Sequence, residues 1–253
     1  MKKIISYLIL LLPLQAWAVD APTLIGVAGW SHPTYDGADS QQVMAIPTIS
    51  YYGKHSFART TQGVLEGGSR AELFKGFNVG AQLVYEGGRD STASPFLTSH
   101  NVPSISPNVS LGVHAELKQE IGPMPIWLLL RARQHADAAY GAQADLRLTA
   151  GIYGGEWLNA GLFAQATWAD SPAMQSYYGI TPQQSASTGL TAFTAAAGRL
   201  INTEGVLWSF DLTQNWQLLG SLETRQLQGD ARKSPLAQVG SNYYASLGIG
   251  FQF

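Results

Sequence analysis

A chain of 253 residues with no cysteine, a formal charge of −2 and only 13% charged residues has no disulfide framework, and it lacks the basic excess that a nucleic-acid surface needs. Beyond the first twenty residues no apolar run approaches the roughly 18 residues of a spanning helix, so any membrane passage by the rest must use strands.

The chain opens with Lys2 and Lys3, an apolar run from Ile4 to Leu14, and Ala16-Trp17-Ala18, the pattern of a secretory signal peptide cleaved between Ala18 and Val19. No cysteine follows the apolar run, so a lipoprotein anchor is excluded, and the loss of two lysines and no acid carries the net charge from −2 to −4. Residues 19–253 are expected to form a single domain.

Leu24 to Trp30 and Val43 to Tyr52 read as strands. Pro47 sits inside the second, and a bulge or break is expected there, because a closed sheet offers no edge for a residue without an N–H. From Phe77 to Glu86 the apolar residues are Phe77, Val79, Ala81, Leu83 and Tyr85, facing away from Asn78, Gly80, Gln82 and Glu86. The same period of two recurs over Pro107 to Lys118, Met124 to Arg133, Ala142 to Ile152, Leu158 to Trp168, Val206 to Leu212 and Trp216 to Arg225. Amphipathic strands with aromatics near their ends (Trp30, Tyr85, Trp157, Trp168, Trp208, Trp216) point to an all-β transmembrane antiparallel barrel rather than a soluble sandwich.

Loop lengths constrain the strand count. Long polar connections lie at Ser31 to Gln41, Gly87 to Ile105, Ser171 to Ala195 and Gly229 to Gly240, a medium one at Gln134 to Gly141, and tight ones near Gly53, Gln119 to Pro123, Gly154-Gly155 and Thr213 to Asn215. Single-chain bacterial barrels have even strand numbers, with short periplasmic turns and longer outer loops. Parity therefore asks for one long strand over Ala196 to Leu212 and an extra turn near Thr60-Thr61-Gln62. The result is twelve strands with both termini periplasmic, with ten as the alternative.

The last stretch, Tyr243 to Phe253, alternates to a terminal aromatic. With Tyr243, Gly248, Phe251 and Phe253 in place it resembles the assembly signal of bacterial outer-membrane barrels, Leu247 standing where a polar residue is usual. The expected location is the outer membrane of a Gram-negative cell, with outer-membrane lipid and the barrel-assembly machinery as partners and no nucleic acid.

On the barrel's inner face the alternation places Glu86, His114, Glu116, Lys118, Arg131, Arg133, Asp145, Arg147, Asp211, Glu223 and Arg225. Mixed signs on neighbouring strands favour a mutually neutralised polar filling; a narrow solute channel lined by Arg131, Arg133, Arg147 and Glu116 is the alternative. Catalysis finds no support. Ser110 and His114 lie roughly 13 Å apart along one strand, too far for a nucleophile and its base. His135 and Asp137 lack a second acidic pair, and His32, His55 and His100 show no metal-ligand spacing. No enzyme activity, metal or cofactor is expected.

Four strings carry a resemblance: Tyr35-Asp36-Gly37-Ala38-Asp39, Ala45-Ile46-Pro47-Thr48-Ile49-Ser50-Tyr51, Tyr177-Tyr178-Gly179-Ile180 with Ser187-Thr188-Gly189-Leu190, and Leu227-Gln228-Gly229-Asp230-Ala231 with Ser234-Pro235. Together they resemble the MipA/OmpV family of outer-membrane proteins, which includes YiaT-like members. The resemblance implies a scaffold that joins a membrane-bound lytic transglycosylase to a penicillin-binding murein synthase. OmpV-like members imply adhesion through the outer loops instead. No catalytic residues are carried over.

Overall fold

The computed structural model describes residues 23–253. The expected signal segment, with its expected cleavage between Ala18 and Val19, lies outside the described residues.

Thirteen strand segments form one antiparallel sheet that closes on itself. They are β1 (Leu24–Pro33), β2 (Gln41–Tyr52), β3 (Ser56–Thr61), β4 (Val64–Ser69), β5 (Ala71–Phe74), β6 (Phe77–Glu86) and β7 (Asn108–Ile121), followed by β8 (Met124–His135), β9 (Ala142–Gly154), β10 (Leu158–Ala169), β11 (Gly198–Asp211), β12 (Trp216–Leu227) and β13 (Ser241–Gln252). Both β4 and β5 pair with β6, in the same register from Glu66↔Val84 to Ala71↔Val79, so they are two pieces of one stave bent at Arg70. The barrel thus has twelve staves, and the ten-strand alternative falls. β13 closes the ring against β1, from Leu24↔Gln252 to Ser31↔Ala245.

Closure satisfies the backbone, and alternation does the rest. On β7, Leu111 and Val113 point outward; on β9, Leu146 and Leu148; on β13, Leu247 and Ile249, all exposed. Exposed apolar side chains recur on strands all round the ring, an arrangement that water would penalise and lipid welcomes. Five of the six end aromatics lie on this outer face or its rim. Trp30 is the exception. It points inward and stacks on His32, with ring centroids 3.9 Å apart.

The extra turn falls at Gln62-Gly63, where φ is +53° and +80°. Two successive positive φ values give the two-residue turn whose twist matches a hairpin. This hairpin leaves the wall. The β2–β3 ladder runs only from Tyr52↔Phe57 to Ser50↔Arg59, after which the tip of β3 and β4 leans into the lumen. Gln62 Nε2 donates to Glu223 Oε2 on β12 at 3.0 Å, and Arg225 Nη2 donates to the Gln62 carbonyl at 3.2 Å.

The inward lean also explains Pro47, where the expected bulge or break is absent. The β1–β2 register runs unbroken through Val27↔Pro47. The Pro47 carbonyl accepts from Thr60 Oγ1 at 2.8 Å, so its backbone polar groups face β3, where the ladder has already ended. The barrel does possess a short edge, and the proline lies on it.

Long connections gather at one end, to which the Gln62-Gly63 turn also belongs, and the other turns lie at the opposite end with Thr23 and Phe253. The long ones are not merely polar linkers. They carry helices α1 (Pro95–Ser99), α2 (Ser171–Tyr178), α3 (Pro182–Thr188) and α4 (Gly229–Lys233), which pack into a lid with its own apolar core.

A Cβ at position 63 would lie 2.5 Å from the Trp30 ring, in a left-handed backbone conformation. Gly63→Val is expected to destabilise the barrel by roughly 1–3 kcal/mol, read as an earlier urea midpoint for unfolding in lipid vesicles.

Candidate functional site

Three strand arginines and four carboxylates interlock inside the barrel. Arg59 Nε donates to Glu66 Oε1 at 2.5 Å, and its Nη1 bonds to Glu116 Oε1. Arg131 Nη1 donates to both Glu66 oxygens at 3.0 Å, and its Nη2 lies 3.2 Å from Asp145 Oδ2. Arg133 donates through Nη1 to the same Asp145 oxygen, through Nε to Glu86 Oε1 at 2.8 Å and through Nη2 to Gln143 Oε1 at 2.7 Å. Thr167 Oγ1 completes the shell of Asp145 at 2.7 Å.

Glu66 and Asp145 are only 2% and 1% exposed. Charges so deeply buried persist because each is matched by an opposite charge in hydrogen-bonding geometry. Apolar side chains fill the lumen around them: Phe57, Val84, Leu129 and Phe163 all point inward and are buried. A water-filled passage at this level would expose these groups, and they are not exposed.

The opposite wall has its own cluster. Arg225 Nη2 donates to Glu223 Oε1 at 2.6 Å, and the guanidinium lies 3.8 Å from the Tyr244 ring centroid, over its face. The Tyr244 hydroxyl bonds to Asp36 Oδ1, tying this wall to the first long loop. Arg147 stacks on Phe163 at 3.9 Å. Lys118 Nζ rests 4.6 Å from the Tyr52 ring centroid and 5.2 Å from that of Trp127. His114 meets Phe57 edge-on at 4.8 Å, and Asp211, near the short-turn end, accepts from Gln217 Nε2 at 2.6 Å.

The structure thus brings Glu86, Glu116, Arg131, Arg133 and Asp145 into one network and Glu223 with Arg225 into another, while His114, Lys118, Arg147 and Asp211 stand apart with aromatic or amide neighbours. Arg59 and Glu66 were absent from the sequence-derived ladder, yet they hold its centre. They sit at equal distances on either side of the Gln62-Gly63 turn, in phase with Phe57, and that symmetry was the available signal. Ser110 Oγ donates to Glu86 Oε1 at 3.1 Å, and the Asp137 N–H donates to His135 Nδ1 at 3.2 Å; neither contact is a nucleophile with its base. Among the described residues no cluster of His, Asp and Glu could hold a metal ion.

Of the terminal-strand residues, Tyr243 and Phe253 face outward and are strongly exposed. Phe251 packs against Trp216, with ring centroids 5.1 Å apart. Gly248 faces inward, where a Cβ would lie 2.6 Å from that of Ala28.

Three of the four sequence strings meet in the lid, and the fourth, Ala45 to Tyr51, lies in the wall on β2. Tyr35 Oη donates to the Leu236 carbonyl at 2.9 Å, Tyr178 Oη to the Asp36 carbonyl at 3.4 Å, and Ser234 Oγ to the Tyr178 carbonyl at 2.6 Å. Asn242 accepts from the Gly37 N–H and donates to the Ala38 carbonyl, both at 2.7 Å. Gly37 adopts φ +98°, which its Asp-Gly context favours. Leu227, Ala231, Met174 and Tyr178 form the apolar centre beneath. Strings far apart in the chain are thus one interlocked lid.

A family described as "MltA-interacting protein MipA" matches residues 25–253. No curated protein matches the sequence. Among solved structures, the COG4313 outer-membrane channel from Pseudomonas putida F1 is similar at 11% identity with a TM-score of 0.54, covering 93% of this chain and 97% of that one. A bacterial polysaccharide outer-membrane secretin follows at 8% identity and TM-score 0.48, over 93% and 100% of the two chains. LpxR from Salmonella typhimurium gives 11% identity and TM-score 0.42, over 91% and 99%. The likeness to the Pseudomonas channel is one of fold, and the protein is an outer-membrane barrel of a Gram-negative bacterium.

Glu66→Gln would leave Arg59 and Arg131 buried without their shared counter-charge. A loss of about 3–5 kcal/mol is expected, measured by urea unfolding in vesicles, with the compensated variant Arg131→Met/Glu66→Met losing less. In the lid, burial pushes the Tyr177 hydroxyl up to about 12 and those of Tyr178 and Tyr35 upward as well. A folded pKa above the unfolded value near 10 means that the stabilisation is complete below pH about 10 and lost as pH rises towards 12. Absorbance at 295 nm should show these tyrosines ionising later than free tyrosine, with the lid loosening over the same interval.

Proposed function

The chain belongs to the MipA family, and from that premise we propose that it is a non-enzymatic outer-membrane platform that docks murein-remodelling enzymes, a lytic transglycosylase and a penicillin-binding murein synthase. The family's own name, MltA-interacting protein, supports an interaction role. The observation that carries the reading against a channel is the packed lumen: Glu66, Glu116, Arg131 and Asp145 are buried in a neutralising network rather than lining an aqueous path. A barrel whose interior is sealed by ion pairs works through its surfaces.

In this reading the short-turn end faces the periplasm and the helical lid faces the outside, as the loop lengths suggest. Murein enzymes then meet the turns after β2, β5, β7, β9 and β11. The lid would be free for contacts with other cells, the role that adhesin-like family members suggest.

Affinity capture from solubilised envelopes after crosslinking in intact cells should recover a lytic transglycosylase or a murein synthase; recovery of neither would overturn the platform reading. Purified protein in planar bilayers should give no discrete conductance steps, and regular steps would restore the channel. The terminal Phe253 is proposed to serve assembly, so its deletion should reduce heat-modifiable barrel in the outer membrane several-fold, judged by gel mobility against total protein.

A further inference from the structure

The lid contains a cation that no neighbour neutralises. Arg89 begins the long connection between β6 and β7 and is fixed by paired backbone hydrogen bonds with Ile105, both 2.8 Å. Its side chain is buried; Nη1 donates to the Tyr177 carbonyl at 2.6 Å, Nη2 reaches the Pro103 carbonyl only at 3.5 Å, and Nε has no partner. Among the described residues it makes no ion pair, in contrast to Arg59, Arg131, Arg133 and Arg225; Arg147 in the lumen also lacks one, but its guanidinium is stacked on Phe163. The ionisable side chains that act on it are tyrosines, Tyr178, Tyr35 and Tyr177, and burial works against its charge.

The Tyr177 carbonyl is at the C-terminal end of α2, and a helix C-terminus favours a cation. A helix of eight residues supplies only part of one charge, and a guanidinium has five N–H donors to satisfy. Backbone carbonyls therefore position Arg89 and leave its charge uncompensated.

Arg89 opens onto a cleft of about 320 Å³. Val102, Ile105, Ile180 and Leu236 give the cleft an apolar wall, and Gln184 and Thr188 line it as well. The volume falls at the lower end of the range for small-molecule sites, and the lining repeats their usual plan of an apolar body with a fixed polar group. A buried arginine at the polar end of an apolar cleft matches a carboxylate on an apolar body, which would accept the free N–H groups and supply the missing negative charge.

We propose that the lid cleft binds a small amphipathic carboxylate, with the carboxylate on Arg89 and the apolar part against Val102, Ile105 and Leu236. The site is on the long-loop end and does not depend on the murein reading.

The test uses the full barrel in lipid nanodiscs and isothermal titration with hexanoate, hexanol and inorganic phosphate. Hexanoate should bind saturably at one site, with hexanol and phosphate at least about tenfold weaker, since each lacks one half of the match. Arg89→Gln should weaken hexanoate about tenfold or more, and Arg89→Lys less. Because Arg89 also braces α2, Ala139→Trp provides a second variant: it leaves Arg89 intact, fills the cleft from its exposed rim and should abolish binding. Heat-modifiable mobility reports folding of every variant. Absence of saturable hexanoate binding, equal binding of hexanol, tighter binding of phosphate, or unchanged hexanoate affinity in folded Arg89→Gln or Ala139→Trp would each overturn the proposal.

Discussion

A sheet that lives in lipid has nowhere to leave a backbone N–H or C=O unpaired, and this molecule follows from how it meets that demand. Twelve staves close through β1 and β13, so the wall needs neither disulfides nor a continuous apolar core. Where the wall relaxes, between β2 and β3, the exposed edge carries a proline, and the Thr60 hydroxyl bonds across the gap to the Pro47 carbonyl and the Ile49 N–H. The released hairpin goes inward and becomes the centre of the lumen.

The lumen then obeys the rules of a protein interior rather than those of a pore. The seven charged groups of the central network, five buried and two half-buried, are tolerable there because each finds an opposite charge at hydrogen-bonding distance, while buried Arg147 lies over the Phe163 ring instead. Around them aromatic and aliphatic side chains complete the filling. Above, the lid repeats the pattern at smaller scale, with an apolar centre and a polar frame in which Tyr35, Tyr178 and Ser234, from three of the four sequence strings, each donate to the backbone of another loop. Arg89 departs from that balance, and the departure points to a ligand.

The alternation of apolar and polar residues made the eight strands from β6 to β13 legible, because a two-faced wall between lipid and lumen imposes a strict period of two. Loop parity located the Gln62-Gly63 turn, since a missed stave would have placed long loops at both ends. The centre of the network stayed hidden for a physical reason. Arg59 and Glu66 lie in segments of six residues each, too short for alternation to stand out, and their burial depends on a hairpin lean that local pattern does not encode. Pro47 was misread because closure was taken to be complete at every level of the wall. The long connections looked polar because their apolar residues, such as Leu97, Met174 and Leu236, are dispersed and converge only in three dimensions.

The inward hairpin has a consequence for the order of assembly. Gln62 is joined to Glu223 and Arg225 across 161 and 163 residues of chain, far beyond the reach of local folding. Those bonds exist only when β12 stands opposite β3, which requires the staves between them to have zipped. The seating of the hairpin tip and the completion of the ring are therefore a single event: a half-closed sheet would still hold its central charges in water, and the last seam to join also dries the interior.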